Sequence, residues 1–251
     1  MSDRRLGPSG GRVVWFVGAV AALALTPSPA AAYRPFDQTD AAVSPPREIE
    51  LELGPFAAAR TRHETWLAPG FVFNYGLFRR VELVVDDHNV VPVGSSSIQQ
   101  WQAETAVLLK GILREGCLQE HAGPSVALET GLLLPTLPHQ DGFGASVALI
   151  VSEQWPAVTV HANFEIALAR DHHADALGGA IVEGPHTWRI RPVAETYLER
   201  EGPGLLIISA LGGAIWTVRD GLSFDAAARA AREDALALYE LRLGMTWAFT
   251  L

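Results

Sequence analysis

The chain has 251 residues, 49% of them hydrophobic, with a formal net charge of −9 and a single cysteine. The acidic balance argues against nucleic acid as a partner, and one cysteine excludes an internal disulfide framework. Such a composition suits a packed core and a membrane wall alike, so the elements must decide between them.

Arg4, Arg5 and Arg12 lead into an apolar run from Val13 to Leu25, and Ala30, Ala31 and Ala32 follow it. A basic start, a short apolar stretch and an A-x-A end read as a secretory signal peptide over residues 1–32, cut before Tyr33, since the run is too short to span a bilayer. Its removal takes away three arginines and Asp3, moving the formal charge from −9 to −11. Residues 33–47 come next, with Pro35, Pro45 and Pro46 and no strand period. Proline lacks the donor that a strand ladder needs. This segment therefore either hangs in the periplasm as a disordered leader or folds back into a lumen as a plug. Tyr33 and Phe36 are its aromatic anchors, and Arg34 and Arg47 are its means of meeting acidic groups inside.

Residues 48–251 form the main body. Twelve runs with two-residue alternation fall near 48–54, 70–76, 79–86, 101–114, 124–134, 142–153, 157–169, 174–184, 188–200, 205–218, 221–230 and 237–251. A helix competes only over the alanine-rich 225–238. In WQAETAVLLKGILR, residues 101–114, Glu104, Lys110 and Arg114 share one face while Val107, Leu109 and Leu113 share the other. A lysine aimed at lipid near the bilayer centre costs about 2–4 kcal/mol, so the charged face should look into a lumen. The same parity assigns Glu50, Glu52, Glu82, Glu129, His161, Glu165, Glu183, Arg189, Arg191, Glu195, Glu199, Asp225, Arg229, Glu240 and Arg242 inward. The last run, ALYELRLGMTWAFTL, puts Tyr239, Leu241, Leu243, Met245, Trp247 and Phe249 on one face and Glu240 and Arg242 on the other. Its length exceeds the roughly 9 to 11 residues of a tilted spanning strand.

These features describe an all-β, transmembrane, antiparallel up-and-down barrel of about twelve strands. With an even count both ends lie in the periplasm. Residues 55–69 and 87–100 then become outer connections, and the turns near 77, 156, 186 and 220 inner ones, with 115–123 long for an inner turn. Trp155, Trp188, Trp216 and Trp247 fall near the periplasmic interface and Trp101 and Tyr239 near the outer one, as aromatic girdles require. Trp216 lies on a strand apolar on both faces, which leaves its orientation open.

The segments AYRPFDQTDAA, REIELELGP, NYGLFRRVELVVD, GPSVALETGLLLP, GFGASVALIVS, VRDGLSFDAA and ELRLGMTWAF together resemble the MetA-pathway-of-phenol-degradation family of outer-membrane β-barrels over nearly the full chain. The resemblance implies a barrel, and passage of small aromatic or hydrophobic solutes. Leu251 departs from the aromatic that commonly ends such barrels, which bears on recognition by the outer-membrane insertion machinery.

Catalytic chemistry finds little support. A lipase needs Ser, His and Asn or Asp within reach. The turn at Trp155-Pro156 predicts His161 opposite Ile150 and Asn163 opposite Ala148, with no serine at the imidazole. Asp171, His172, His173 and Asp175 lack a metal-site spacing and read as a solvated outer loop. GFGAS at 142–146 lacks the helix and third glycine of a phosphate cradle, so no cofactor or metal is expected. Cys117 falls in an inner connection as a free thiol. The chain thus reads as a non-enzymatic barrel of the bacterial outer membrane, in contact with its lipid, acting as a passive transporter or channel. The alternatives are a structural or anchoring barrel without conduction and an exported soluble β-sandwich binding module.

Overall fold

The computed structural model describes residues 34–251 apart from 63, 94–101, 139–141 and 203. The signal-peptide segment, Tyr33 and Trp101 lie outside the described residues. In chain order the strands are β1 (Glu48–Arg60), β2 (Thr65–Leu67), β3 (Gly70–Phe78), β4 (Val81–Pro92), β5 (Gln102–Arg114), β6 (Ser125–Leu133), β7 (Gly144–Gln154), β8 (Thr159–Leu168), β9 (Ala174–Glu183), β10 (Ile190–Glu201), β11 (Leu205–Arg219), β12 (Leu222–Glu233) and β13 (Leu236–Thr250). A 3-10 turn at Cys117–Gln119 sits between β5 and β6.

Every neighbouring pair is antiparallel, and β13 returns to β1 with Glu48 opposite Thr250. β2 and β3 both lie between β1 and β4, so they form a single wall strand broken at Ala68 and Pro69. The result is a closed, twelve-stranded antiparallel transmembrane barrel. Closure removes the sheet edges, and with them the soluble-sandwich alternative, which needs two open sheets face to face.

Alternation explains why these residues make this wall. Leu109, Leu149, Phe164, Ile166, Leu198 and Leu241 point outward and are exposed, while Glu82, Lys110, Glu195 and Arg242 are buried within. This inverts a water-soluble core, since lipid rewards apolar side chains on the outside and the interior must satisfy the polar ones. The alanine-rich 225–238 follows the same rule as β12, its turn and the start of β13, with Asp225 and Arg229 inward and Ala226, Ala228 and Ala230 outward. Sheet closure overrides helix propensity there.

The connections assigned to 55–69 and 87–100 need correction. β1 continues to Arg60 and β4 to Pro92. Gly54-Pro55 resembles a turn in sequence, but a bulge between Leu53 and Phe56 absorbs it. The bulge resets the parity, so that Glu48, Glu50 and Glu52 are buried before it and Ala57 and Ala59 after it. Trp155, Trp188, Trp216 and Trp247 are all exposed on the rim where β1 begins and β13 ends, and Tyr239 is exposed at the opposite rim. Trp216 points outward and packs against Phe224, with ring centroids 6.2 Å apart.

Candidate functional site: the lumen and its inner segment

Residues 34–47 run inside the barrel, where inward-facing side chains satisfy their backbone. The amides of Asp37 and Gln38 donate to Glu195 at 3.1 and 2.9 Å, and that of Ala41 to Ser152 Oγ at 3.0 Å. The Ser44 amide donates to Glu82 at 2.7 Å, and the Arg34 amide to Glu52 at 3.0 Å. Asn163 donates to the Thr39 carbonyl at 2.8 Å. A segment too rich in proline to join the ladder is thus paired by side chains from strands far apart in sequence, which is how buried backbone must be satisfied.

Two charged clusters grip it. In the first, Asp37 lies 2.7 Å from Arg242 and 3.4 Å from Arg229, and both guanidiniums also reach Glu240. Arg229 also donates to the Tyr197 hydroxyl. Enclosure opposes ionisation of Asp37, but the charges of Arg242 and Arg229 outweigh it and hold the carboxyl down at about 2. In the second, Lys110 is 1% exposed and lies 3.0 Å from Thr39 Oγ1, 3.5 Å from Glu82 and 3.8 Å from Asp40. Arg34 crosses to Asp225 at 3.6 Å. Its guanidinium lies over Gly54 and Gly244, where a Cβ would overlap its present position, so a side chain at either glycine would displace it.

Of the inward assignments, Glu50, Glu52, Glu82, Lys110, His161, Glu183, Glu195, Asp225, Glu240 and Arg242 are buried, and Glu129, Glu165, Arg191, Glu199 and Arg229 are half-buried. Glu104 sits at the far rim, 3.3 Å from Arg170. Three assignments need correction. Arg114 follows a bulge after Ile112 and turns to the carbonyls of Ala122, at 3.1 Å, and Pro124. Arg189 precedes β10 and bonds the carbonyls of Thr217 and Val218 at 3.2 and 2.8 Å, so Glu183 pairs with Arg191 at 2.5 Å instead. Arg47 is exposed at the rim, where its amide donates to Gly76 and its carbonyl accepts from Leu251, away from the acidic interior. The expected partnership of Arg229 with Glu240 is present at 3.2 Å.

The register near His161 also differs from the sequence reading. Gln154 pairs with Thr159 around a four-residue turn, which places His161 opposite Ser152 and Asn163 opposite Ile150. Ser152 Oγ lies 2.8 Å from His161 Nδ1, and His161 Nε2 lies 3.0 Å from Glu183. A serine, an imidazole and a carboxylate therefore do line up. Ser152 is fully buried and its Oγ accepts from Ala41, so no face is left for a carbonyl carbon, and the trio anchors the inner segment. Cys117 is a free, half-buried thiol whose Sγ donates to the Ser152 carbonyl at 3.3 Å. Among the described residues no group of three His, Cys, Asp or Glu could hold a metal ion.

Asp37, Thr39, Asp40, Ser44 and Arg170 lie outside the strands, where strand parity does not speak, whereas Ser152 is an inward residue of β7 that was missed because the register opposite His161 differs. Asp37 and Asp40 carried one usable signal: two acids in a stretch that its prolines bar from the ladder.

No protein-family model matches the chain, and no curated protein matches it in sequence. Among solved structures it is similar to a KdgM porin, at 8% identity and a TM-score of 0.55, covering 79% of this chain and 98% of that one. A KdgM porin in complex with disordered oligogalacturonate aligns at 7% identity and 0.54 over the same shares. A CymD monoaromatic hydrocarbon channel aligns at 8% identity and 0.44, covering 83% of this chain and 89% of that one. At such identities the likeness speaks for the fold, which is that of outer-membrane barrels.

Proposed function

We propose that the chain is a passive channel of the bacterial outer membrane whose lumen is gated by residues 34–47. The observation that carries this reading is the inner segment itself. It is held by side chains and ion pairs rather than by ladder bonds, so it can leave without dismantling the wall. A barrel of this size also lies between the roughly eight strands that side chains alone can fill and the 16 to 18 that leave an open channel, so something extra belongs in the middle. The outward apolar face and the tryptophans on one rim support residence in an outer membrane, and the KdgM likeness supports the same architecture. The resemblance to the MetA-pathway-of-phenol-degradation barrels points to small aromatic or hydrophobic solutes. In this reading residues 1–32 are the export signal, the insertion machinery places the barrel, and catalysis has no part.

The test compares single-channel conductance of the mature protein with that of a variant lacking residues 33–46. Opening of a quiet barrel on deletion is the expected result. Unchanged conductance in a correctly inserted variant would make the segment a fixed filler. A structural or anchoring barrel instead requires both proteins to stay silent at every voltage.

A further inference from the structure

The lumen is not filled evenly. Beyond the inner segment, toward the rim opposite the start of β1, a cavity of about 210 Å³ is walled by Glu104, Glu165, Asp175, Glu199, Arg170 and Leu177. Four carboxylates face one guanidinium there. Arg170 is already committed, to the Leu134 carbonyl at 2.6 Å and to Glu104 and the Thr105 carbonyl at 3.3 Å each. Asp175 accepts from the Gly202 amide at 2.7 Å, which leaves its other oxygen over.

A second, independent observation lies one ring below the cavity, on the inner segment. Gln38 is 8% exposed, and neither its Oε1 nor its Nε2 has a hydrogen-bond partner. Leaving both ends of a buried amide unmade is costly, and such a group is commonly completed by a ligand or by water. Its direction follows from the register. The Gln38 backbone is bonded to Glu195, while its amide nitrogen lies against Gly179, where a Cβ would overlap it. Gly179 is level with Tyr197 and Asn163, and the next inward-facing ring toward the far rim is Glu165, Leu177 and Glu199. The amide therefore reaches outward from the inner segment, to within one ring of the cavity's walls.

We propose that this outer half of the lumen binds a small organic amine, its ammonium held by Glu199 and Glu165 and donating as well to Gln38 Oε1, with its apolar body against Leu177. The carboxylates are spread around the walls and do not converge on a metal. Spread acids with an apolar patch between them suit a cation with a hydrocarbon body. The room is that of about seven waters at roughly 30 Å³ each, enough for a one-ring molecule. An anion meets repulsion on three sides. This site deepens the channel reading by naming the charge class that would enter, yet binding does not require conduction.

The experiment is calorimetric titration of the full mature protein, folded in detergent, with phenethylamine, 2-phenylethanol and phenylacetate, molecules alike in body and different in charge. The expected result is saturable one-to-one binding of phenethylamine, about ten-fold or more tighter than the alcohol, as one charge-assisted hydrogen bond provides, and none of phenylacetate. Glu199→Gln should remove most of that preference. Gln38→Leu should weaken the amine with the barrel still heat-modifiable. Equal affinity for amine and alcohol, no amine binding by a folded barrel, or an indifferent Glu199→Gln would each overturn the assignment. A barrel that binds the amine but never conducts would overturn the channel reading alone, and one that conducts but ignores the amine would overturn this site alone.

Discussion

The two halves of the lumen obey one rule and end in opposite states. On the side where β1 begins, several inward charges are consumed around the inner segment: Arg242 and Arg229 by Asp37 and Glu240, Lys110 by Glu82 and Asp40, and Glu195 by two backbone amides. Toward the far rim Glu165 and Glu199 stand half-buried around a cavity with a single, already committed arginine. Alternation alone cannot distinguish these halves, because it only turns side chains inward. What separates them is where residues 34–47 make their contacts, which reach as far as Gly179 and no further among the described residues. The packed half should therefore govern stability and the open half should govern selectivity.

The sharpest break of that contrast is Arg242→Met. It leaves Asp37 and the buried Glu240 to share Arg229 alone, a loss expected to cost about 3–5 kcal/mol. Urea unfolding from lipid vesicles measures it, and a cost under about 1 kcal/mol would mean that the cluster does not hold the inner segment.

Next comes the wall itself. Val107→Lys places a charge on the lipid face of β5 and should cost up to roughly 4 kcal/mol depending on depth, whereas Glu104→Lys, at the open rim, should fold with wild-type yield and change ion preference. Equal folding yields for the two would sink the face assignment.

A smaller effect follows from Asp37, whose carboxyl is held at about 2 against an ordinary value of 3.8. A carboxyl lowered by folding adds stability that is complete above its unfolded value and is lost as pH falls through the folded one. The stability difference between wild type and Asp37→Asn should stay level from pH 7 to about 4 and shrink between about 4 and 2. A level difference throughout would remove Asp37 from the grip on the segment. Smallest of all, Arg170→Gln should change stability by under about 1 kcal/mol, since its partner Glu104 is 47% exposed, while shifting permeability further toward cations. Bilayer reversal potentials read the second half, and no shift would place Arg170 outside the solute's path.

Much of this architecture was legible from alternation. All twelve wall strands, the buried charges such as Glu82, Lys110, Glu195 and Arg242, though not Arg114 or Arg189, and the tryptophans on one rim follow from a period of two and the cost of a charge in lipid. That period is local, and it survives folding because neighbouring strands leave no other place for a side chain to point. What it cannot deliver is any relation between strands, where one slip of register changes every partner. The four-residue turn after Gln154 put Ser152 beside His161 against expectation, Glu183 went to Arg191 rather than Arg189, and a bulge at Pro55 carried β1 on to Arg60 where the proline had suggested its end. The course of residues 34–47 was the widest gap. Prolines excluded them from the ladder, but only closure of the barrel brought Ser152, Glu195 and Arg242 around one short stretch of chain, since side chains from distant strands can supply its hydrogen bonds only after the sheet has come full circle.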